Sequence, residues 1–240
     1  MPLSALFAAM LALFVAAAGP ARADDSLTRF ENGVVVELFT AQGCVACPPV
    51  EAFFATLADR PDVIALALHV DYWDYIGWKD RFAQPAFTER QKGYARRVRS
   101  NTVYTPQMIV GGLDRVSGFR PMEVGDRLAH HAARPGSVEL GLERTGERLT
   151  IRATAPALLD RPAVVQLVRY LPSATVHIRK GENAGHRGSY RNIVTLWDEV
   201  GRWDGAAPLT LSVPLQGTEP VVVILQETGF GPILAAGRLR

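Results

Sequence analysis

The passage from Val34 to Leu57 limits most what this chain can fold into: an apolar, strand-like run breaks at Gly43 and leads through Cys44-Val45-Ala46-Cys47 into a helical pattern. Those two residues are the only cysteines in the chain. Val34, Val35, Val36, Leu38 and Phe39 are too continuous for a half-exposed strand and predict one that is central and buried on both faces. Val50, Phe53, Phe54 and Leu57 then recur at i, i+3, i+4 and i+7, one apolar face of a helix. Proline is tolerated only in a first turn, so Pro48 and Pro49 place the helix start near Cys47, with Cys44 just ahead of it and the more exposed of the two. A helix N-terminus stabilises a thiolate, and a second thiol two residues away can attack a mixed disulfide, so the pair reads as a redox motif. As a mere staple it would do little. The entropic gain from a cross-link grows with loop length, from roughly 3 kcal/mol at 15 residues, and this loop encloses two.

Within the first strand Glu37 is anomalous, because burying a carboxylate costs several kcal/mol unless it has a partner. Val63 to Val70 predicts a second apolar strand, followed by an aromatic-rich segment from Asp71 to Trp78 that suits either a peptide-binding rim or a cover for the sheet edge. Phe87, Gln91, Tyr94 and Val98 predict a helix from Pro85 to Arg99. Thr105-Pro106 opens a hairpin through Gln107 to Val110 and Val116, and this X-Pro bond is a candidate for the cis form. Pro121 to Ala133 predicts a third helix, and Arg134-Pro135-Gly136 a linker. Beyond it come short β-rich runs separated by turn signals, from Val138 to Leu142 through Ile233 to Leu239, whose spacing suits an all-β sandwich. Among them lies a polar, glycine-rich loop from Gly181 to Arg187, read either as a cover for the thiol site or as a plain connection. Trp197 and Trp203 read as sandwich core or edge cover.

Leu3 to Ala18 is an uncharged apolar run, and Ala21-Arg22-Ala23 supplies the small residues at −3 and −1 that a signal peptidase prefers. Cleavage after Ala23 predicts a periplasmic or secreted protein with no stable membrane insertion. Removing residues 1–23 takes away one Arg and no acid, so the formal charge falls from +2 to +1. That balance argues against nucleic acid, which requires clustered cations in surplus. In an oxidising compartment the two cysteines would rest as a disulfide. No phosphate-cradling loop with a following Lys, no His-x-x-x-His and no Gly-x-Ser-x-Gly occurs, so nucleotide hydrolysis, zinc-protease and serine-hydrolase chemistry have no support.

The order strand, Cys44-x-x-Cys47, helix, strand, helix, Thr105-Pro106, hairpin, helix resembles the thioredoxin fold. Val35-Val36-Glu37-Leu38-Phe39-Thr40, Gly43-Cys44, Cys47-Pro48-Pro49, His69-Val70-Asp71-Tyr72-Trp73-Asp74, Tyr104-Thr105-Pro106-Gln107 and Gly181-Glu182-Asn183 resemble a family of bacterial secreted proteins known as domain of unknown function 1223. The resemblance implies a helix-flanked α/β thioredoxin-like domain over residues 24–134 and an all-β sandwich-like domain over 135–240. Carried over residue by residue, it implies Cys44 as the attacking thiol, Cys47 as the resolving thiol, Glu37 as a proton-transfer group if Gly43 counts as a one-residue insertion, and Pro106 as a shaper of the substrate groove. Val45-Ala46 departs from the dipeptides of known reductases and oxidases and adds no charge, so it gives no redox direction.

The function expected is thiol-disulfide exchange with protein thiols and disulfides through Cys44 and Cys47, without a cofactor. One alternative is a binding scaffold with an inert disulfide. The other is copper delivery by Cys44, Cys47 and His69, which resembles secreted copper carriers more weakly because those space their cysteines by three residues.

Overall fold

The computed structural model describes residues 30–134, 136 and 138–240. The expected leader, residues 1–23, lies outside them. The chain opens with β1 (Phe30–Asn32), β2 (Val34–Thr40), α1 (Pro48–Ala58), β3 (Val63–His69), α2 (Pro85–Arg97), β4 (Gln107–Val110), β5 (Asp114–Ser117) and α3 (Pro121–Ala132). It continues with β6 (Glu139–Thr145), β7 (Arg148–Thr154), β8 (Ala163–His177), β9 (Arg187–Trp203), β10 (Leu209–Pro214), β11 (Val221–Glu227) and β12 (Ile233–Leu239).

Nine strands form one mixed sheet in the order β1-β12-β11-β8-β9-β3-β2-β4-β5, and β10-β7-β6 form a second, smaller one. This overturns the expected architecture of a helix-flanked thioredoxin-like α/β domain followed by a β-sandwich. Among the described residues the protein is mostly β, the three α-helices are short, and β1 and β2 share the large sheet with strands as late as β12. The physical reason lies in β3. Every residue from Val63 to His69 is buried, so both edges of that strand need a neighbour. β2 covers one edge in parallel register, and β9 covers the other where Ala67 meets Ile193. Asn192, at φ 48°, donates its side-chain amide to the Ala65 carbonyl at 2.9 Å and secures that seam.

Side chains on β2 alternate between two cores. Val36 and Leu38 face Val50, Phe54 and Leu57 of α1 and Val124 and Leu128 of α3. The three α1 side chains are each nearly fully buried, worth about 1.5–3 kcal/mol apiece. Val35 and Phe39 face Phe87 and Tyr94 of α2 together with Tyr170, Val222 and Ile224 from the later strands. A third core joins the sheets, with Leu149 and Ile151 against Val165, Val221, Val223 and Leu225. Trp203 is buried there. Among the described residues no helix is long and apolar enough to cross a membrane.

Candidate functional site

The parallel strands β2 and β3 end side by side, and the chain leaving β2 turns back on itself before α1. Val70 N–H donates to the Thr40 carbonyl at 2.9 Å, Cys44 N–H to Ala41 at 3.1 Å, and Cys47 N–H to Cys44 at 3.2 Å. Cys44 and Cys47 are joined in a disulfide, their Cα atoms 5.4 Å apart. Cys47 is the N-cap of α1, its carbonyl accepting the amides of Val50 and Glu51 at 2.9 Å each, with Pro48 and Pro49 in the first turn as expected. The relative exposure differs from expectation: Cys44 is 1% exposed and Cys47 0%, while Val45 between them is 56% exposed.

Three neighbours hold this turn shut. Asp80 accepts the Gln42 amide on Oδ2 at 2.8 Å, and the Trp78 indole donates to Gln42 Oε1 at 2.7 Å. Asn183 donates from Nδ2 to the carbonyls of Gln42 and Cys44 at 2.9 and 3.0 Å. Of the two readings of the Gly181–Arg187 loop, the structure supports contact with the cysteine turn. A Cβ at Gly43 would lie 2.7 Å from the Ile76 side chain, so the segment carrying Trp73 and Ile76 closes over that position.

Beneath the turn lies a buried polar cluster. Glu51 is one helical turn on from Cys47, on the same inward face of α1, and accepts the Thr40 hydroxyl at 2.6 Å. Burial pushes its carboxyl up to about 7; the Thr40 hydrogen bond and His69 pull it down, and Asp80 pushes it up again. His69 Nδ1 lies 2.6 Å from Asp80 Oδ2, its Nε2 has no hydrogen-bond partner among the described residues, and its ring meets Phe82 and Tyr190 edge to face. Among the described residues no group of three or more His, Cys, Asp or Glu side chains is arranged to hold a metal ion.

Glu37 has the partner that its burial demands, on the opposite face. Arg90 of α2 grips it with Nε to Oε2 at 2.6 Å and Nη2 to Oε1 at 2.9 Å, and the Tyr94 hydroxyl donates to Oε1. Arg90 also stacks 3.8 Å from the Trp197 ring centroid and donates to Gln166 and Gln226. Trp197 is thus part of a polar network beside a cavity of about 540 Å³. Pro106 follows a cis bond and is buried, and Thr105 Oγ1 accepts the Trp73 indole at 2.7 Å, which ties it to the segment over Gly43.

The structure therefore joins Cys44 to Cys47, links Pro106 to the turn through Trp73, and places Glu37 in a separate network. Four residues that carry the site escaped the sequence reading. Glu51 was marked by its i+4 spacing from Cys47, and Asn183 lies in a motif already singled out. Arg90 was called for by the buried Glu37. Asp80 carries no local signal.

A family model described as "Protein of unknown function (DUF1223)" matches residues 35–226. The crystal structure of an Agrobacterium tumefaciens protein is 32% identical, with a TM-score of 0.74 over 86% of this chain and 93% of that one. A hypothetical protein from Pyrococcus horikoshii, 8% identical over 47% of this chain and 99% of that one, has a TM-score of 0.22 and carries no argument. No curated protein matches the chain.

Proposed function

We propose that this chain, which belongs to the protein family of unknown function DUF1223, is exported and exchanges thiols and disulfides with other proteins through Cys44 and Cys47. The observation that carries this reading is a disulfide of three-residue separation set on the first turn of α1, with Cys47 as its N-cap. A loop this short restrains the unfolded chain little, whereas the helix end favours a thiolate.

In the step proposed, a partner thiolate attacks Cys44 Sγ and forms a mixed disulfide. The Cys44–Cys47 bond breaks and its electron pair leaves on Cys47. A second partner thiolate then attacks the partner's sulfur in the mixed disulfide, Cys44 leaves as a thiolate, and the partner is oxidised as the pair is reduced. The reverse sequence reduces a partner disulfide. Pro106, whose neighbour Thr105 accepts the Trp73 indole, shapes the approach.

One observation favours a second reading, a scaffold with an inert disulfide: exposures of 1% and 0% leave neither sulfur open to attack without movement. The reduction potential in glutathione buffers separates the two. A value between about −120 and −270 mV, with a partner trapped by Cys47→Ser, supports exchange; a value below about −300 mV with no trapped partner refutes it.

A further inference from the structure

The rim of the cysteine turn is basic. Lys79 and Arg81 flank Asp80, whose carboxylate holds the Gln42 amide. Arg179, Lys180 and Arg187 flank Asn183, whose side chain holds the Cys44 carbonyl. The two segments meet, because a Cβ on Gly181 would lie 3.4 Å from both the Ile76 carbonyl oxygen and Trp78 Cβ. Lys79 and Lys180, the chain neighbours of Trp78 and Gly181, thus share one rim. The second segment is also closed on itself: Ile178 N–H donates to the His186 carbonyl at 2.9 Å and Gly185 N–H to the Ile178 carbonyl at 2.8 Å. Its cations are held near the turn.

All five cations are exposed, and none forms an ion pair among the described residues. Arg81 lies over the Phe82 ring at 4.7 Å, which leaves its charge uncompensated. The acids of the same segments are mostly committed inward. Asp80 is buried against His69, while Asp71 accepts the Thr88 hydroxyl and Asp74 the Asp80 amide, both half-buried. Glu182 is the one exposed acid between residues 71–82 and 177–187. Five exposed cations against one exposed acid concentrate anions at that mouth.

We infer that the thiol or disulfide that reacts with Cys44 is carried in an acidic context, either on a small anionic thiol or between carboxylates on a protein segment. This rests on the exchange reading above and names its substrate class. In the chemical step, an anionic thiolate attacks Cys44 Sγ, the Cys44–Cys47 bond breaks, and the electron pair goes to Cys47.

The test compares second-order rates of reduction of the full-length protein by three thiols at low ionic strength: glutathione, which is anionic, mercaptoethanol, which is neutral, and cysteamine, which is cationic. A cation about 10 Å away through water changes the rate of an anion by roughly twofold. Reversing two of them, Arg179→Glu with Lys180→Glu, is expected to lower the glutathione-to-mercaptoethanol ratio by about tenfold and to raise the cysteamine ratio. In about 0.5 M salt the variant and wild-type ratios should converge.

An acidic cysteine peptide and its lysine-substituted counterpart extend the comparison. Preference for glutathione alone assigns a small thiol, and preference for the acidic peptide as well assigns a protein segment. Ratios that ignore both charge and salt overturn the inference. Failure of all three thiols to reduce the native protein would sink the exchange reading, and this inference with it.

Discussion

Replacing Glu51 with Gln tests whether the acid beneath the disulfide is neutral in the folded protein. Burial pushes this carboxyl from 4.5 up to about 7 in the native state. Below about pH 4.5 it is protonated whether the chain is folded or not, and it contributes nothing to pH dependence. Between about 4.5 and 7 the unfolded chain releases the proton while the folded protein keeps it, so stability falls as pH rises and levels off above about 7. The full loss is roughly 3 kcal/mol, from about 1.4 kcal/mol per unit over that interval. The amide introduced by Glu51→Gln would be neutral throughout, and its carbonyl oxygen can still accept the Thr40 hydroxyl. Urea unfolding of both proteins in steps from about pH 4 to 8 should show the variant gaining on wild type by roughly 3 kcal/mol, with unchanged m-values. Parallel stability curves would refute the reasoning, because Glu51 would then titrate alike in both states.

Three further outcomes follow from the same geometry. Arg90→Ala leaves Glu37 buried without its cation and should cost about 3–5 kcal/mol in urea unfolding, with much of the loss recovered when Glu37→Gln is added. Asn183→Ala removes two hydrogen bonds to the cysteine turn, worth about 1 kcal/mol each, so reduction by dithiothreitol should speed up by about 30-fold and Tm should fall by about 4–8 °C. A Cβ at Gly93 would sit 2.1 Å from the Phe230 ring, so Gly93→Ala should cost about 1–3 kcal/mol by thermal unfolding, less in a Phe230→Ala background.

The elements around the disulfide were legible because their signals are local. The continuous run before Gly43, the prolines at the start of α1, and the i, i+3, i+4, i+7 face from Val50 each specify a conformation without reference to distant residues. The partner of β3 was not legible in this way. Its unbroken burial demands two neighbours, but several later runs have the composition to serve, and the choice of β9 rests on the seam at Ala67 and Ile193. A finer reading of texture separates the later strands. In β7, Leu149, Ile151 and Ala153 alternate with outward-facing residues, the mark of a sheet wet on one side. In β11, Val221 to Leu225 is unbroken, the mark of a strand covered on both faces, as β3 is. Reading both as sandwich strands merged two sheets that the pattern distinguishes.

The candidate site shows the same limit at the scale of one side chain. Glu37 stood out because it is an acid in a buried strand close before the cysteines, yet proximity along a strand does not place a side chain, since successive residues face opposite ways. Glu37 shares the face of Val35 and Phe39, toward α2, and there Arg90 and Tyr94 hold its carboxylate. Thr40, three residues on, faces α1 and reaches the acid that lies one turn beyond Cys47. An odd step along β2 thus divides two buried carboxyl groups between opposite layers. Glu37 is ion-paired to α2 of its own layer, and Glu51 is hydrogen-bonded beneath the disulfide turn with no arginine or lysine partner among the described residues. Burial raises the Glu51 carboxyl to about 7, and its backbone amide is bonded directly to the Cys47 carbonyl.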